Sequence, residues 1–282
     1  MATLEEKEAS LRAYLAARKP LAVAFSGGVD STLLLYLAVQ ACGAENILAV
    51  TAATPFFPLR ERQEAIDFAK SLGVRHLVVE TDEMSIPGFV ENPPDRCYLC
   101  KKHLFSGMME TAAAAGFPSV CEGSNMDDNG DYRPGLTAIA ELGVLSPLRA
   151  AGLYKSEIRA LSRQYGLPTW SKPSFACLAS RFVYGETITK EKLSRVEKAE
   201  DFLRDAGFSQ VRVRIHGAAG DLARIEVSPE DISRFADDTL REAVTAAAKA
   251  AGFRYVTLDL QGYRVGAMNE ALDQTTLSRG FH

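Results

Sequence analysis

Short apolar runs alternate with amphipathic stretches over the first 170 or so residues. LAVAF (21–25), ILAVTA (47–52), VRHLVVE (74–80) and PSVCE (118–122) read as buried strands. Between them, helical spacing predicts helices over 30–41, 59–72 and 97–115. Strand–helix alternation with short links predicts a Rossmann-like α/β domain. Its sheet is parallel, helices cover both faces, crossovers are right-handed, and ligands bind at the carboxyl ends of the strands. The stretch 166–175, GLPTWSKPSF, breaks the pattern with Pro and Ser. It predicts a functional loop at the passage to a second domain. Beyond it come a charged helix (189–206), two alternating segments (211–217 and 223–228), a helix (237–251) and a strand (253–260). That order predicts a smaller α+β domain with most strands antiparallel. The expected division is 1–170 and 171–282.

Composition narrows the class. An apolar fraction of 47% with 24% charged residues is that of an ordinary globular chain, and 282 residues can bury a core without disulfide staples. A net charge of −4 argues against a surface given over to nucleic acid. The first 20 residues are acidic and helix-like and lack the basic start and apolar run of a signal peptide. No apolar run approaches the roughly 20 residues that span a bilayer. The expectation is a cytoplasmic protein with no membrane partner, whose five cysteines stay out of structural disulfides.

The sharpest local signal is SGGVDS at 26–31, between the strand LAVAF and the helix that starts STLLLYLAVQ. Glycines there let the backbone approach an anion, and the helix start supplies N–H groups and a favourable dipole. Ser26 and Ser31 add hydroxyls. The Walker pattern and its lysine are absent. The motif resembles that of the PP-loop, or N-type, ATP pyrophosphatases, in which the loop grips the pyrophosphate end of ATP and a substrate oxygen is adenylated. The resemblance assigns Ser26, Gly27, Gly28, Val29, Asp30 and Ser31 to ATP binding. Asp30 either orients Mg²⁺ or caps the helix. GSNMDD (123–128) follows the fourth strand on the same edge, and makes Gly123 and Asp127 candidates for nucleotide or Mg²⁺ contacts. Ala52 and Ala53, ending the second strand, leave room for a flat base.

Three cysteines form a second group. Cys97 and Cys100 make a CxxC after the third strand, and Cys177 lies in KPSFACLASRF. Cys42 and Cys121 fall inside a helix and a strand and read as packing residues. Spacing leaves three readings open for the others. They are a zinc site completed by a residue such as His103, a [4Fe–4S] cluster with one open iron, and a redox pair beside a lone nucleophile.

Seven blocks in order carry a wider resemblance: SGGVDS, DRCYLCKK, GSN-M-DD with GDYRPG, LGVLSPL, GLPTW-KP--ACLASRF-YG, VRVR-HG--ARIEV and LDL-GYR-GAMNE. Over nearly the whole chain they are similar to the LarE-type ATP-dependent sulfur transferases. That family adenylates the carboxylates of a pyridinium biscarboxylate mononucleotide and replaces oxygen with sulfur. It does so in synthesis of the nickel-pincer cofactor of lactate racemase. Members with one cysteine give up the sulfur of the Cys in the ACLASR block. Members that also carry the CxxC, as here, hold a [4Fe–4S] cluster through three cysteines. The resemblance therefore implies Cys97, Cys100 and Cys177 as cluster ligands, ATP with Mg²⁺, a small mononucleotide substrate and a homo-oligomer.

In VRVRIH, period-two alternation puts Arg212, Arg214 and His216 on one strand face and Val211, Val213 and Ile215 on the other. Composition alone favours a solvated face paired with Glu226. The resemblance instead implies that Arg212 and Arg214 bind the substrate phosphate. Ser180 and Arg181 are candidates to hold the activated carboxylate or the AMP phosphate, and Glu200 and Asp231 match family positions near this site. Two other functions fit parts of the pattern. A tRNA thiolase is disfavoured by the acidic charge, and a non-catalytic nucleotide sensor by the intact phosphate loop.

Overall fold

The structure is a computed structural model and describes residues 2–128, 134–173, 176–217, 219–264 and 266–271. Most of the GDYRPG block lies outside the described residues. The chain forms two compact units. One comprises Met1–Ile86, Cys97–Phe175 and Gly280–His282; the other comprises Pro87–Arg96 and Ala176–Arg279.

The first unit begins with α1 (Leu4–Ala16), opened by a capping box. The Thr3 hydroxyl accepts from the Glu6 amide at 3.2 Å, and the Glu6 carboxylate accepts from the Thr3 amide at 2.8 Å. Four parallel strands follow: β1 (Leu21–Ala24), β2 (Ile47–Ala53), β3 (Arg75–Glu80) and β4 (Ser119–Cys121), ordered β3-β2-β1-β4. β1 therefore lies inside the sheet, with Leu21 opposite both Ile47 and Ser119. Pleat alternation sends Leu21, Val23, Ile47 and Ala49 to one apolar cluster and Ala22, Leu48 and Val50 to another. The first cluster joins α1, α2 (Val29–Cys42), α3 (Leu59–Ser71) and α7 (Lys155–Gln164). The second joins α4 (Arg96–Ala114) and α5 (Pro134–Glu141). Both faces are thus covered, as a parallel sheet requires. Helix α2 is buried on nearly every side, because it packs against α1 and α7 as well as the sheet. A short helix, α6 (Pro147–Ala150), precedes α7.

The second unit holds α8 (Lys190–Asp205), β5 (Val211–His216), β6 (Leu222–Val227), α9 (Asp238–Ala251) and β7 (Tyr255–Leu258). Its sheet runs β5-β6-β7. The first pair is antiparallel and the second parallel, so the expectation of mostly antiparallel strands is corrected. The cause is α9, a helical crossover that returns the chain to β6 in the parallel sense. Thr189 and Asp237 cap α8 and α9 through their side chains, and left-handed Gly252 closes α9. The segment 87–96 joins this unit through Asn92. Its side-chain amide donates to the Val183 carbonyl at 2.6 Å, and its own carbonyl accepts from the Gly185 amide at 2.9 Å.

Leu34 is wholly buried in the first cluster. Leu34→Ala should lower the unfolding free energy by about 2–5 kcal/mol, against about 1 kcal/mol for the exposed cap change Thr3→Ala. Urea denaturation of the two variants measures the difference.

Candidate active site

The residues after β1 turn sharply into α2. Gly27 adopts φ +67°, and a Cβ there would come 3.2 Å from that of Ala65 on α3. Gly28 is the N-cap and makes no side-chain cap bond. The helix is tied down from within the loop instead. The Ser31 hydroxyl donates to the Gly28 carbonyl at 3.2 Å and lies 3.2 Å from the Ser26 hydroxyl. Ser26 is exposed, Val29 and Ser31 are buried, and Asp30 is half-buried.

Asp30 does not cap the helix, which corrects one of the two readings given above. Its carboxylate accepts from the Lys155 ammonium and, at 3.1 Å, from the Asn125 side-chain amide. Lys155 opens α7, and its backbone amide donates to Asp127 at 2.6 Å. The GSNMDD segment is therefore fastened to the start of α2. Gly123 sits at the closest approach, where a Cβ would lie 3.1 Å from the Ser31 amide nitrogen and 3.2 Å from Asp30 Cβ. Glu122 shapes the turn. It accepts from the Ser124 amide (2.9 Å), the Ser124 hydroxyl (2.7 Å) and the Ser146 hydroxyl (2.6 Å). Asp128 accepts from the Asn125 amide at 2.8 Å. Ala52 and Ala53 are buried at the end of β2.

Sequence reasoning passed over Glu122, Asn125, Lys155 and Lys172. Lys172 reaches the phosphate loop from the GLPTWSKP segment, with its ammonium 3.4 Å from the Gly27 carbonyl. The position of Lys172 in a Pro-bounded loop was the available signal. Lys155 carried none, since a lysine at a helix start looks like any surface lysine.

Cys97 is exposed and Cys100 half-buried, one turn apart at the start of α4, so both thiols share a helix face. His103, three residues further along, is exposed. Cys177 is exposed just before a short 3-10 turn, Leu178–Arg181. Cys42 and Cys121 are buried, and burial pushes both thiols up from their ordinary pKa. Among the described residues, no three His, Cys, Asp or Glu side chains stand grouped as a metal site.

In the second unit, Arg181 is fully buried. Its Nε and one terminal nitrogen donate to the two Glu200 oxygens at 2.7 and 2.9 Å, while the other donates to the Ala176 and Cys177 carbonyls at 2.6 and 3.1 Å. It also reaches the Ser180 hydroxyl at 2.9 Å. Arg181, with Ser180, was a candidate to hold the activated carboxylate or the AMP phosphate. It instead holds the backbone that carries Cys177, because its fork is filled from inside the protein. Arg96, the residue before Cys97, donates to the Ala179 carbonyl at 3.1 Å. Asp231 lies in a 3-10 turn (Pro229–Ala236) and accepts from Arg234 at 3.2 Å.

Arg212 and Arg214 are both buried, so their strand face is not solvated. Arg214 pairs with Glu226 at 2.9 Å and donates to the Ser180 carbonyl at 2.9 Å. Its Nε, like Nε2 of His216, has no partner among the described residues. The Arg212 guanidinium lies over the Tyr263 ring at 5.1 Å. Burial and the neighbouring Arg181 charge lower its pKa, against the pull of Glu200. Burial alone would raise the Glu200 pKa; Arg181, Arg204 and Arg212 outweigh it and hold the carboxyl below its usual range.

The family model for NAD synthase matches residues 3–88, which include β1, the phosphate loop and α2. The pyridinium-3,5-bisthiocarboxylic acid mononucleotide synthase of Lactiplantibacillus plantarum is 40% identical over 278 residues, 99% of each chain. An uncharacterized protein of Synechocystis sp. is 43% identical over 269 residues, 95% of this chain and 99% of that one. An uncharacterized protein of Methanocaldococcus jannaschii is 30% identical over 246 residues, 87% of this chain and 91% of its own. The parallel sheet, its bare phosphate loop and these matches define an ATP-dependent enzyme of the PP-loop class. Within that class the chain belongs to the family of the Lactiplantibacillus synthase, the LarE-type ATP-dependent sulfur transferases. No helix among the described residues is long and apolar enough to cross a membrane.

Two outcomes follow from this geometry. Gly123→Ala pushes a methyl against Ser31 and Asp30, and should weaken ATP binding about tenfold while the sheet stays folded, at a cost of about 1–3 kcal/mol for overpacking. Calorimetric titration with ATP and a denaturation curve check both. Glu200→Gln strands buried arginine charge and should cost about 3–5 kcal/mol. Because the folded Glu200 pKa is depressed, that advantage is present above the unfolded carboxylate value of about 4.3 and fades as pH falls through the folded value. Urea curves of both proteins from neutral to acid pH should therefore converge at the acid end.

Proposed function

We propose that the enzyme adenylates the carboxylates of pyridinium-3,5-biscarboxylic acid mononucleotide and converts them to thiocarboxylates in nickel-pincer cofactor synthesis. The observation that carries the reading is the pair of sites in one chain. A glycine-lined helix start suits the pyrophosphate of ATP, and a buried arginine face suits a substrate phosphate. The near-full-length likeness to a synthase named for the bisthiocarboxylic acid mononucleotide supports the substrate class.

A substrate carboxylate oxygen attacks the α-phosphorus of ATP, and pyrophosphate leaves. The α2 start, Ser26 and Ser31 hold the departing pyrophosphate, and Asp30 or Asp127 would supply a carboxylate to Mg²⁺, which would neutralise charge on the phosphates. Lys155 orients the Asp30 carboxylate. A sulfur nucleophile then attacks the acyl carbon, and AMP departs with the original carboxylate oxygen. Arg212 and Arg214 anchor the substrate phosphate. The Arg214 Nε, which has no partner among the described residues, supports this role.

We assign the sulfur site to Cys97, Cys100 and Cys177. Two thiols share one exposed helix face. The third is exposed on backbone that Arg181 fixes, and the likeness to the LarE-type family supports its place in the set. These donors suit a [4Fe–4S] cluster with one iron left open. When bound, such a cluster supplies sulfur in inorganic form, which can be replenished after each turnover. A second reading, in which Cys177 gives up its own sulfur, draws on its exposure.

Cys97→Ala separates the two. It should abolish thiocarboxylate formation and iron binding in protein purified without oxygen, although Cys177 remains. The intact mass of wild-type protein should be unchanged after turnover. Dehydroalanine at position 177, with activity persisting in the variant, would contradict the cluster assignment.

A further inference from the structure

We propose that Lys172 is a further ATP-binding residue: its ammonium moves from Glu61 and Glu64 to the pyrophosphate end of ATP. This rests on ATP use by the phosphate loop and is independent of the sulfur source.

Lys172 Nζ lies 2.5 Å from Glu61, 2.8 Å from Glu64 and 3.4 Å from the Gly27 carbonyl. Gly27 is the first glycine of the phosphate loop, so an anion seated there comes within reach of the same ammonium. Glu61 and Glu64 project from α3, the helix whose Ala65 packs against Gly27. Two carboxylates surround one ammonium. This leaves a negative excess beside a loop built for an anion, an arrangement that favours transfer of the lysine to a more highly charged partner. Only 16% of the Lys172 side chain is exposed. Burial lowers its pKa, but the two glutamates outweigh burial and keep it raised, so the group stays cationic. Lysine suits this handover because its flexible stem carries a compact charge that can change partners.

The backbone at this point is held from the other side. Arg159 on α7 donates to the Trp170 carbonyl at 2.6 Å and to the Lys172 carbonyl at 2.8 Å. The clamp fixes the backbone at Lys172, so the change of partner is a movement of the side chain. A reporter is built in. Trp170 is the chain's one tryptophan; it is 40% exposed, and Arg163 lies 5.1 Å above its ring.

The test uses an ATP analogue with a non-cleavable α,β bridge, inorganic pyrophosphate and AMP, titrated by calorimetry and by Trp170 fluorescence. Lys172→Met should weaken analogue and pyrophosphate binding about tenfold or more, the size of a charge-assisted hydrogen bond. AMP, which lacks the pyrophosphate end, should bind as before. Wild-type fluorescence should change with the analogue, and Lys172→Met should lose that response. Because Lys172→Met leaves Glu61 and Glu64 facing each other, the triple variant Lys172→Met, Glu61→Gln, Glu64→Gln removes the repulsion and should show the same loss. Recovery of wild-type affinity in the triple variant would overturn the proposal, since the lysine would then only neutralise the acids. Unchanged affinity in folded Lys172→Met, or a silent Trp170 in wild type, would overturn it too. An analogue that does not bind the wild-type protein would overturn both this and the ATP reading of the loop.

Discussion

The start of α2 has to stay bare, and much of the first unit follows from that. Anion binding at a helix start needs backbone N–H groups that nothing else fills. Side-chain capping would fill them, and here the N-cap is a glycine. Any Cβ on Gly27 or Gly123 would press on Ala65 or on Ser31 itself. Stability that a cap would have contributed comes instead from burial, since α2 is enclosed by α1, α7 and the sheet. The acidic group at the helix start, Asp30, is turned sideways into Lys155 and Asn125 and leaves the axis open.

The second unit solves a different problem. A face meant for a phosphate needs positive charge already out of water, and that is costly unless most of it is compensated. Glu200 and Glu226 compensate Arg181 and Arg214 at close range. Among the described residues the Arg214 Nε keeps no partner, which leaves one donor on this face for an anion. The same network holds the cysteine loop, because one Arg181 nitrogen serves the Ala176 and Cys177 carbonyls while the rest of the guanidinium serves Glu200. Charge compensation and positioning of Cys177 are therefore one structural requirement. A substitution that disturbs Glu200 disturbs both.

Periodicity made the strands and the longer helices legible, but not α5, α6 and α7, which no expectation covered. The four runs became β1 to β4 within a residue or two of their expected ends, but β3 lies at the sheet edge with Arg75, Val78 and Glu80 exposed, which corrects its reading as a buried strand. The phosphate loop was legible because its chemistry is local: strand, glycines and helix start are contiguous in sequence. Burial of the arginine face was not legible, since alternation predicts which residues share a face and is silent on what covers it. Lys155, Lys172 and Glu122 were missed for a related reason. Each acts on a partner far away in sequence, 125 positions for Lys155 with Asp30, and no local pattern marks such a pair. The parallel pairing of β7 depended on where α9 returns the chain, which is a tertiary outcome.

The central claim is that ATP activates a carboxylate by transferring AMP to one of its oxygens. Substrate labelled with ¹⁸O in its carboxylates, incubated with ATP and protein prepared without oxygen, tests this through the mass of the released AMP. The account predicts one ¹⁸O in AMP for each thiocarboxylate formed and none in pyrophosphate. Thiocarboxylate formed with unlabelled AMP, or with the label in a phosphate other than the α-phosphate, would contradict it.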